Sequence, residues 1–505
     1  MANYLLGIDV GTSSVKVAVI DDNAVVTATI AETYDLISGE PEYRQVDTQS
    51  MWAAVLRAIS ALGHSIDLAC VRAIGLSSLC PGLAALDEKG NVLVDPIIYS
   101  DQRSVKQAEE ICRAVDENSL FSYTANLPMS GAMSATSMLW IKENLPELYQ
   151  QTFCFGHINT LLGVYLTGRF AIDPSNASYT LLFDTAGTTD WSDTLCKKIG
   201  IPRSKLPPLL RSSEIVGELN APSVISLGLQ AGIPVIIGGG DTACAALATG
   251  VVRDGDVCES MGTTDVLTVC TDKPVFRKEF INRCHVVDGT WIYQGAMSHT
   301  GSSLSWCRDQ LCPDLAHIQD GMDPFDVLTS RADRYSCPGA NGVVFLPYMM
   351  GERSPVWDPY ARGVFFGMSL STTRDDLVRA VLEASGYGFL QMIKMAEGVT
   401  GKKIDAFSAI GGGTKSRIWS QIKADITGAD ITVLQVKDMA PIGAALLAGV
   451  GAGLFRNVYD AANRVQRKVH QIFYSNPGNA QSVYERRFST YLGLYPNLKY
   501  LFRHI

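Results

Sequence analysis

The stretch Gly11-Thr12-Ser13-Ser14-Val15 returns, slightly altered, as Gly262-Thr263-Thr264-Asp265-Val266, roughly half the chain later. Each copy follows a short apolar run and opens an alternating one: Val15, Val17 and Val19 in the first, Val266, Thr268 and Cys270 in the second. Period-two alternation around a Gly-Thr turn reads as a β-hairpin with hydroxyls at its tip. Such a turn aims backbone N–H groups and hydroxyls at one spot, a concavity that suits phosphate oxygens. One copy alone would be an ordinary hairpin. Two copies in matching context predict two similar lobes closing on one polyphosphate.

The rest of the chain agrees with two lobes. Its 505 residues exceed one typical core, and strand and helix patterns alternate throughout, which predicts an α/β fold. A helix starts at Asp47 and Thr48 with Trp52, Val55, Ile59 and Leu62 on one face. Strand-like runs follow at Val71 to Leu76 and at Leu83 to Leu86. The strand at Pro234 to Ile237 runs through Gly238-Gly239-Gly240-Asp241 into a helix ending near Thr249. The domain change is placed there, giving a first lobe over 1–245 and a second over 246–455. The remaining 456–505 form a polar tail, helical in pattern, packed on the second lobe.

Within the second lobe, Thr373-Arg374-Asp375-Asp376 is a capping box opening a helix through Leu377, Val381 and Ala384. A strand at Ile404 to Ile410 leads into Gly411-Gly412-Gly413 and a helix bearing Ile418, Trp419 and Ile422. Pro441 suits the first position of another helix. Gly449 to Gly453 reads as close helix packing or a helix end.

Composition narrows the function. A hydrophobic content of 47% and a charged content of 18% belong to an ordinary globular enzyme. The net charge of −9 argues against nucleic acid or an anionic membrane as partner. An anionic ligand must then be held by local backbone dipoles and a metal. Twelve cysteines without a C-x-x-C pair read as free thiols in a reducing compartment. The longest apolar tract, Gly443 to Phe455, is too short to cross a bilayer, and the start lacks the basic region of a signal peptide. The expected setting is cytoplasmic, without membrane attachment.

Two aspartates stand out as chemistry. Asp9 ends the strand Tyr4 to Ile8 directly before the first Gly-Thr turn. A carboxylate beside a phosphate cradle repels phosphate unless a cation lies between them, so Asp9 suits Mg²⁺, directly or through water. Its plain alternative is a turn aspartate capping its own backbone. Asp241 follows the glycine run at a strand's carboxyl end, placed to accept a proton from a substrate hydroxyl. It suits a helix N-cap equally well. The Gly411-Gly412-Gly413 loop can bring backbone against a flat ring or phosphate. Neither a P-loop nor a G-x-G-x-x-G after the first strand is present.

Taken in order, these stretches resemble the FGGY carbohydrate kinases of the actin-like ATPase superfamily. Leu6 to Ser14 looks like that family's first phosphate motif, and Met261-Gly262-Thr263-Thr264 like its second. Tyr99-Ser100-Asp101-Gln102-Arg103 resembles its sugar-site motif, and Gly239-Gly240-Asp241 its catalytic-base motif. Leu166-Thr167-Gly168 with Ser175-Asn176-Ala177-Ser178 is similar to another landmark. The most specific stretch is Gly363 to Met368 followed by Asp376-Leu377, Ala380 and Glu383. Gly411-Gly412-Gly413 with Lys415-Ser416, Trp419 and Asp425 is similar to the adenosine site, and Gly443-Ala444-Ala445 to the late helix.

The resemblance implies two ribonuclease-H-like lobes with a deep cleft and transfer of the ATP γ-phosphate to a sugar hydroxyl. It implies that Asp241 is the base, that Asp9 and Asp241 serve Mg²⁺, and that Gly11 to Ser14 and Gly262 to Thr264 hold phosphates. Gly411 to Gly413 and Lys415 would take the adenosine side. Leu79, Cys80, Pro81, Asp101, Arg103 and Asp241 would face a small sugar or polyol. A ketopentose such as D-xylulose is the expected acceptor; ribulose, a glycerol-like polyol or a sugar acid are alternatives, as is an actin- or Hsp70-like ATPase without a sugar. A homodimer is left open. Two departures stand out: Leu79-Cys80-Pro81 replaces the Gln-Met-His of xylulokinase members, and Ser137 stands where the family usually has lysine.

Overall fold

The computed structural model describes residues 3–37, 39–317, 323–435 and 438–505. Two large sheets dominate it. The first orders its six strands as Ile215–Glu218, Pro234–Gly240, Val71–Ser78, Tyr4–Val10, Ser14–Asp21 and Val26–Thr33. The second orders seven as Ile281–Cys284, Trp291–Met297, Asp265–Thr271, Val257–Met261, Ala406–Ile410, Asp430–Leu434 and Val469–Phe473. Five strands of each sheet share one layout. A hairpin and a third antiparallel strand lie on one side of the opening strand, and two parallel strands on the other. This is the ribonuclease-H-like arrangement, built twice.

Local sequence explains the supporting helices. Thr48–Leu62 is capped by Asp47, whose carboxylate accepts from Ser50 N at 2.9 Å. It buries Met51, Val55, Ile59 and Leu62 against the first sheet, while Trp52 stays half-buried on Tyr165. Each fully buried side chain of this kind contributes about 1.5–3 kcal/mol. The capping box forms at Thr373 and Asp376 and opens the helix Arg374–Thr400, which ends at Gly401 in the left-handed conformation.

Two further helices join the lobes. Asp241–Thr249 and Met439–Gly451 pack face to face, and the second lies on the first sheet although it comes late in the chain. Glycines make this approach feasible. A Cβ on Gly443 would meet Cys244 O at 1.9 Å, and one on Gly7 would meet Pro441 O at 1.8 Å.

The tail departs from its helical expectation. Val469–Phe473 adds an edge strand to the second sheet before the helix Gln481–Phe502 buries Tyr484, Tyr491, Leu494 and Phe502. An edge strand with mostly exposed side chains carries little alternation to read. No helix among the described residues is long and apolar enough to cross a membrane.

Candidate active site

Three parallel strands of the first sheet end side by side, and Asp9, Ser77 and Asp241 stand at their ends as one wall. Asp9 pairs with Ser77 in register, and Ser77 in turn with Gly239. Ser77 Oγ donates to Asp9 Oδ1 at 2.7 Å. Asp9 and Asp241 thus lie two strands apart, roughly 10 Å between backbones. Gly240 takes the N-cap position, so Asp241 is the first helical residue, its carboxylate accepting from Thr242 N at 2.6 Å.

The charges around Asp9 do not balance. Burial pushes its carboxyl up to about 7, Asp241 and Asp438 add to the rise, and Ser77 and Lys16 oppose it. The Lys16 ammonium is already paired with Asp438 at 2.7 Å. Burial also raises Asp241, against Arg283, the Thr242 hydrogen bonds and Lys16. A wall with surplus buried carboxylate fits a divalent cation. Among the described residues no three His, Cys, Asp or Glu form a closed cage, and Mg²⁺ characteristically takes one or two carboxylates, water and substrate phosphate instead.

Each lobe carries one Gly-Thr turn, closing the hairpin of its opening strand. Gly11 N donates to Ser14 O at 2.9 Å, and Gly262 N donates to Thr264 O at 2.9 Å. They differ by one residue: four separate the paired Val10 and Val15, three separate Met261 and Asp265. Tyr34 OH donates to Gly11 O in the first turn. The second is seated on the helix Thr300–Trp306, where a Cβ on Gly301 would meet Gly262 O at 2.1 Å.

Between the lobes lies a cavity of about 1120 Å³ walled by Asp9, Gly11, Lys16 and Asp241 on one side. Ser260, Val266, Gly411, Gly412 and Lys415 form the other. Gly411 has φ +100°, and its missing Cβ would lie 2.4 Å from Met261 O; that of Gly413 would lie 2.7 Å from the Met261 side chain. The glycine loop therefore rests on the residue that opens the second turn. Thr12, Ser13, Ser14, Gly262, Thr263, Thr264 and Gly413 flank this cavity without forming its wall. Lys16, Gln435, Asp438, Lys468 and His470 do form it, and the sequence reading missed them. Lys468 and His470 belong to the tail that the pattern gave as helical, where the chain instead forms the edge strand Val469–Phe473.

The three loop residues expected at the sugar take different places. Leu79 is fully buried in the first-lobe core, its side chain beside the Gly82 backbone, and Pro81 is buried too. Leu79 is the first residue past the strand Val71–Ser78, and there the chain turns its side chain into the core. Only Cys80 lies against Gly240, next to Asp241.

Asp101 and Arg103 are brought together but satisfy each other, Nη2 to Oδ2 at 2.8 Å. Asp101 also accepts from Arg44 N, and Arg103 stacks on Tyr43 at 3.7 Å. As charged neighbours two apart, they form a bidentate pair before any ligand arrives. Ser137 is buried on the helix Ser134–Asn144, and nothing in the structure explains the exchange of lysine for serine.

The Ser175-Asn176 landmark does find a place. Gly240 N donates to Ser175 Oγ at 3.0 Å, and Ser175 and Asn176 both donate to the buried Asp173. This network holds the backbone just before Asp241. Arg283, from the second sheet, lies fully buried with Nη2 against Gly240, and no sequence signal marked it.

Comparison with known proteins agrees with this geometry. Residues 4–248 match the N-terminal domain of the FGGY family of carbohydrate kinases, and 258–452 match its C-terminal domain. Xylulose kinase from Staphylococcus epidermidis is 30% identical over 505 residues, covering 98% of this chain and 97% of that one. Xylulose kinase from Escherichia coli is 30% identical over 98% of this chain and 99% of its own. The crystal structure of xylulose kinase from Rhodospirillum rubrum superposes with TM-score 0.90 at 26% identity, over 99% of this chain and 100% of that one. Twin ribonuclease-H-like lobes, a cleft between them and family matches along most of its length lead to one conclusion: the chain belongs to the FGGY family of carbohydrate kinases and is an ATP-dependent sugar kinase.

Proposed function

We propose that the acceptor is a ketopentose of the D-xylulose kind and that Asp241 is the base. The observation that carries the site reading is the first-lobe wall, where Asp9 and Asp241 open onto the same cavity as Gly411, Gly412 and Lys415. The acceptor rests on the full-length likeness to xylulose kinases. The first lobe spans 1–245 in this proposal, the second 246–455, and the tail 456–505 packs on the second.

In this reading the acceptor hydroxyl sits at Asp241, which takes its proton as the oxygen attacks the γ-phosphorus. The bond from the γ-phosphorus to the bridging oxygen breaks, and ADP leaves. Gly11 to Ser14 and Gly262 to Thr264 turn backbone N–H groups and hydroxyls toward the phosphates. Lys16, paired with Asp438, lies beside them. Asp9 and Asp241 would hold Mg²⁺, which neutralises phosphate charge when bound. Positioning carries most of phosphoryl transfer, so a base held by the Ser175 network and a cleft that excludes water do most of the protein's part. Cys80, Asp101 and Arg103 shape the sugar end.

ADP release measured across ketopentoses, aldoses, polyols and sugar acids tests this reading. D-xylulose should give the highest kcat/KM. A higher value for a sugar acid or a polyol would overturn the proposed acceptor while leaving the kinase in place.

A further inference from the structure

Behind the second phosphate turn lies a charge cluster that the chemistry above does not use. Glu259, Asp265 and Lys423 are all fully buried. Glu259 precedes the turn, Asp265 is the first residue after it, and Lys423 stands on the helix Arg417–Thr427 that follows the glycine loop. Lys423 Nζ donates to Asp265 Oδ2 at 2.8 Å and to Glu259 Oε1. The rings of Phe389 and Trp419 lie beside the ammonium at 5.3 and 5.8 Å. Burial works against the Lys423 charge, but Asp265 and Glu259 outweigh it and hold the lysine protonated.

The first lobe shows that such a hairpin does not need charge there. In matched register, Ile8 and Val15 take the places of Glu259 and Asp265, both fully buried and apolar. Replacing a buried ion cluster by apolar side chains is often neutral or stabilising. Stability alone therefore does not account for three buried charges. What they add is direction: one ammonium ties both strands beside the turn to the helix of the glycine loop.

We propose that Lys423 is a positioning residue that locks the second phosphate turn to the glycine loop, so that the phosphate and adenosine contacts of the second lobe keep one geometry. The inference rests on the nucleotide reading of the cleft.

The decisive variant copies the first lobe: Glu259→Ile, Asp265→Val and Lys423→Met together. It should melt at or above the wild-type temperature. Its MgATP affinity, measured by calorimetry without sugar, should weaken by about tenfold, as expected when binding groups lose their alignment. KM for ATP should rise with it, while KM for the sugar stays unchanged. A folded triple variant with wild-type MgATP affinity overturns the inference. If the triple variant does not fold, Asp265→Asn decides, since it keeps the shape and one acceptor for Lys423 but loses the charge. Weaker MgATP binding at unchanged sugar KM supports the proposal, and wild-type binding overturns it. A wild-type chain that fails to bind MgATP would overturn the reading of the cleft itself, and this inference with it.

Discussion

The two hairpins at the centre of the molecule are built on one register and carry their charges on opposite faces. In the first, Asp9 and Lys16 line the cleft while Ile8 and Val15 face the core. In the second, Ser260 and Val266 line the cleft while Glu259 and Asp265 lie buried against Lys423. The same backbone therefore serves two purposes. The first lobe leaves carboxylate without its full complement of positive charge, which suits a cation that comes and goes with substrate. The second supplies its own permanent cation and shows the cleft uncharged strand residues. On the proposed reading, chemistry belongs to the first lobe and placement of the nucleotide to the second.

The largest test of that division is Asp241→Asn, which keeps the shape but cannot accept a proton. Turnover should fall by roughly 10²–10⁴-fold, the usual worth of a positioned base. MgATP affinity should fall far less than turnover, because Asp9 still serves Mg²⁺. Near wild-type sugar phosphorylation in this variant would remove the first lobe's claim to the chemistry.

Next comes Asp9→Asn. If its charge serves Mg²⁺, the concentration of Mg²⁺ giving half-maximal rate should rise by about 10–100-fold. The matching change in the second hairpin, Ser260→Ala, should leave that requirement where it was. Equal Mg²⁺ dependence in both variants would erase the contrast between the lobes.

A smaller effect is expected at the turns. A methyl on Gly262 meets nothing nearer than Thr264 O at 3.6 Å, so the fold accommodates Gly262→Ala. A loss of MgATP affinity, about tenfold if phosphate approaches the bare backbone, would then report on the ligand alone. Normal affinity by calorimetry would show that phosphate does not touch this turn.

The smallest concerns pH. Burial raises the Glu259 carboxyl above its ordinary range, with Lys423 opposing the rise. Just above that ordinary range the folded chain keeps a share of the proton that the unfolded chain has released, so stability falls as pH rises from there. Glu259→Gln should flatten that fall by about 2–4 °C in Tm, with or without MgATP. A slope unchanged by the substitution would place the proton elsewhere.

Much of this was legible in the residues. The repeated Gly-Thr turn announced two lobes because a short hairpin is local, and its alternation survives in the sequence. Asp9 and Asp241 could be found because each ends an apolar strand beside glycine. That Leu79 lies fully buried in the first-lobe core was not legible, because local spacing does not tell which way the chain turns just past a strand. Asp101 and Arg103 could be marked by their motif, but their pairing with each other depends on the fold around a buried segment.

By itself, the sequence determined the elements, the repeat and the residue types at strand ends, because these depend on spacing of two to four residues. Tertiary structure alone decided three things. It laid the helix Met439–Gly451 on the opposite lobe, brought Arg283 beneath Asp241, and closed Lys423 onto two carboxylates more than 150 positions away. The physical reason is that burial and pairing of charge depend on which surfaces meet, and no local pattern encodes that meeting.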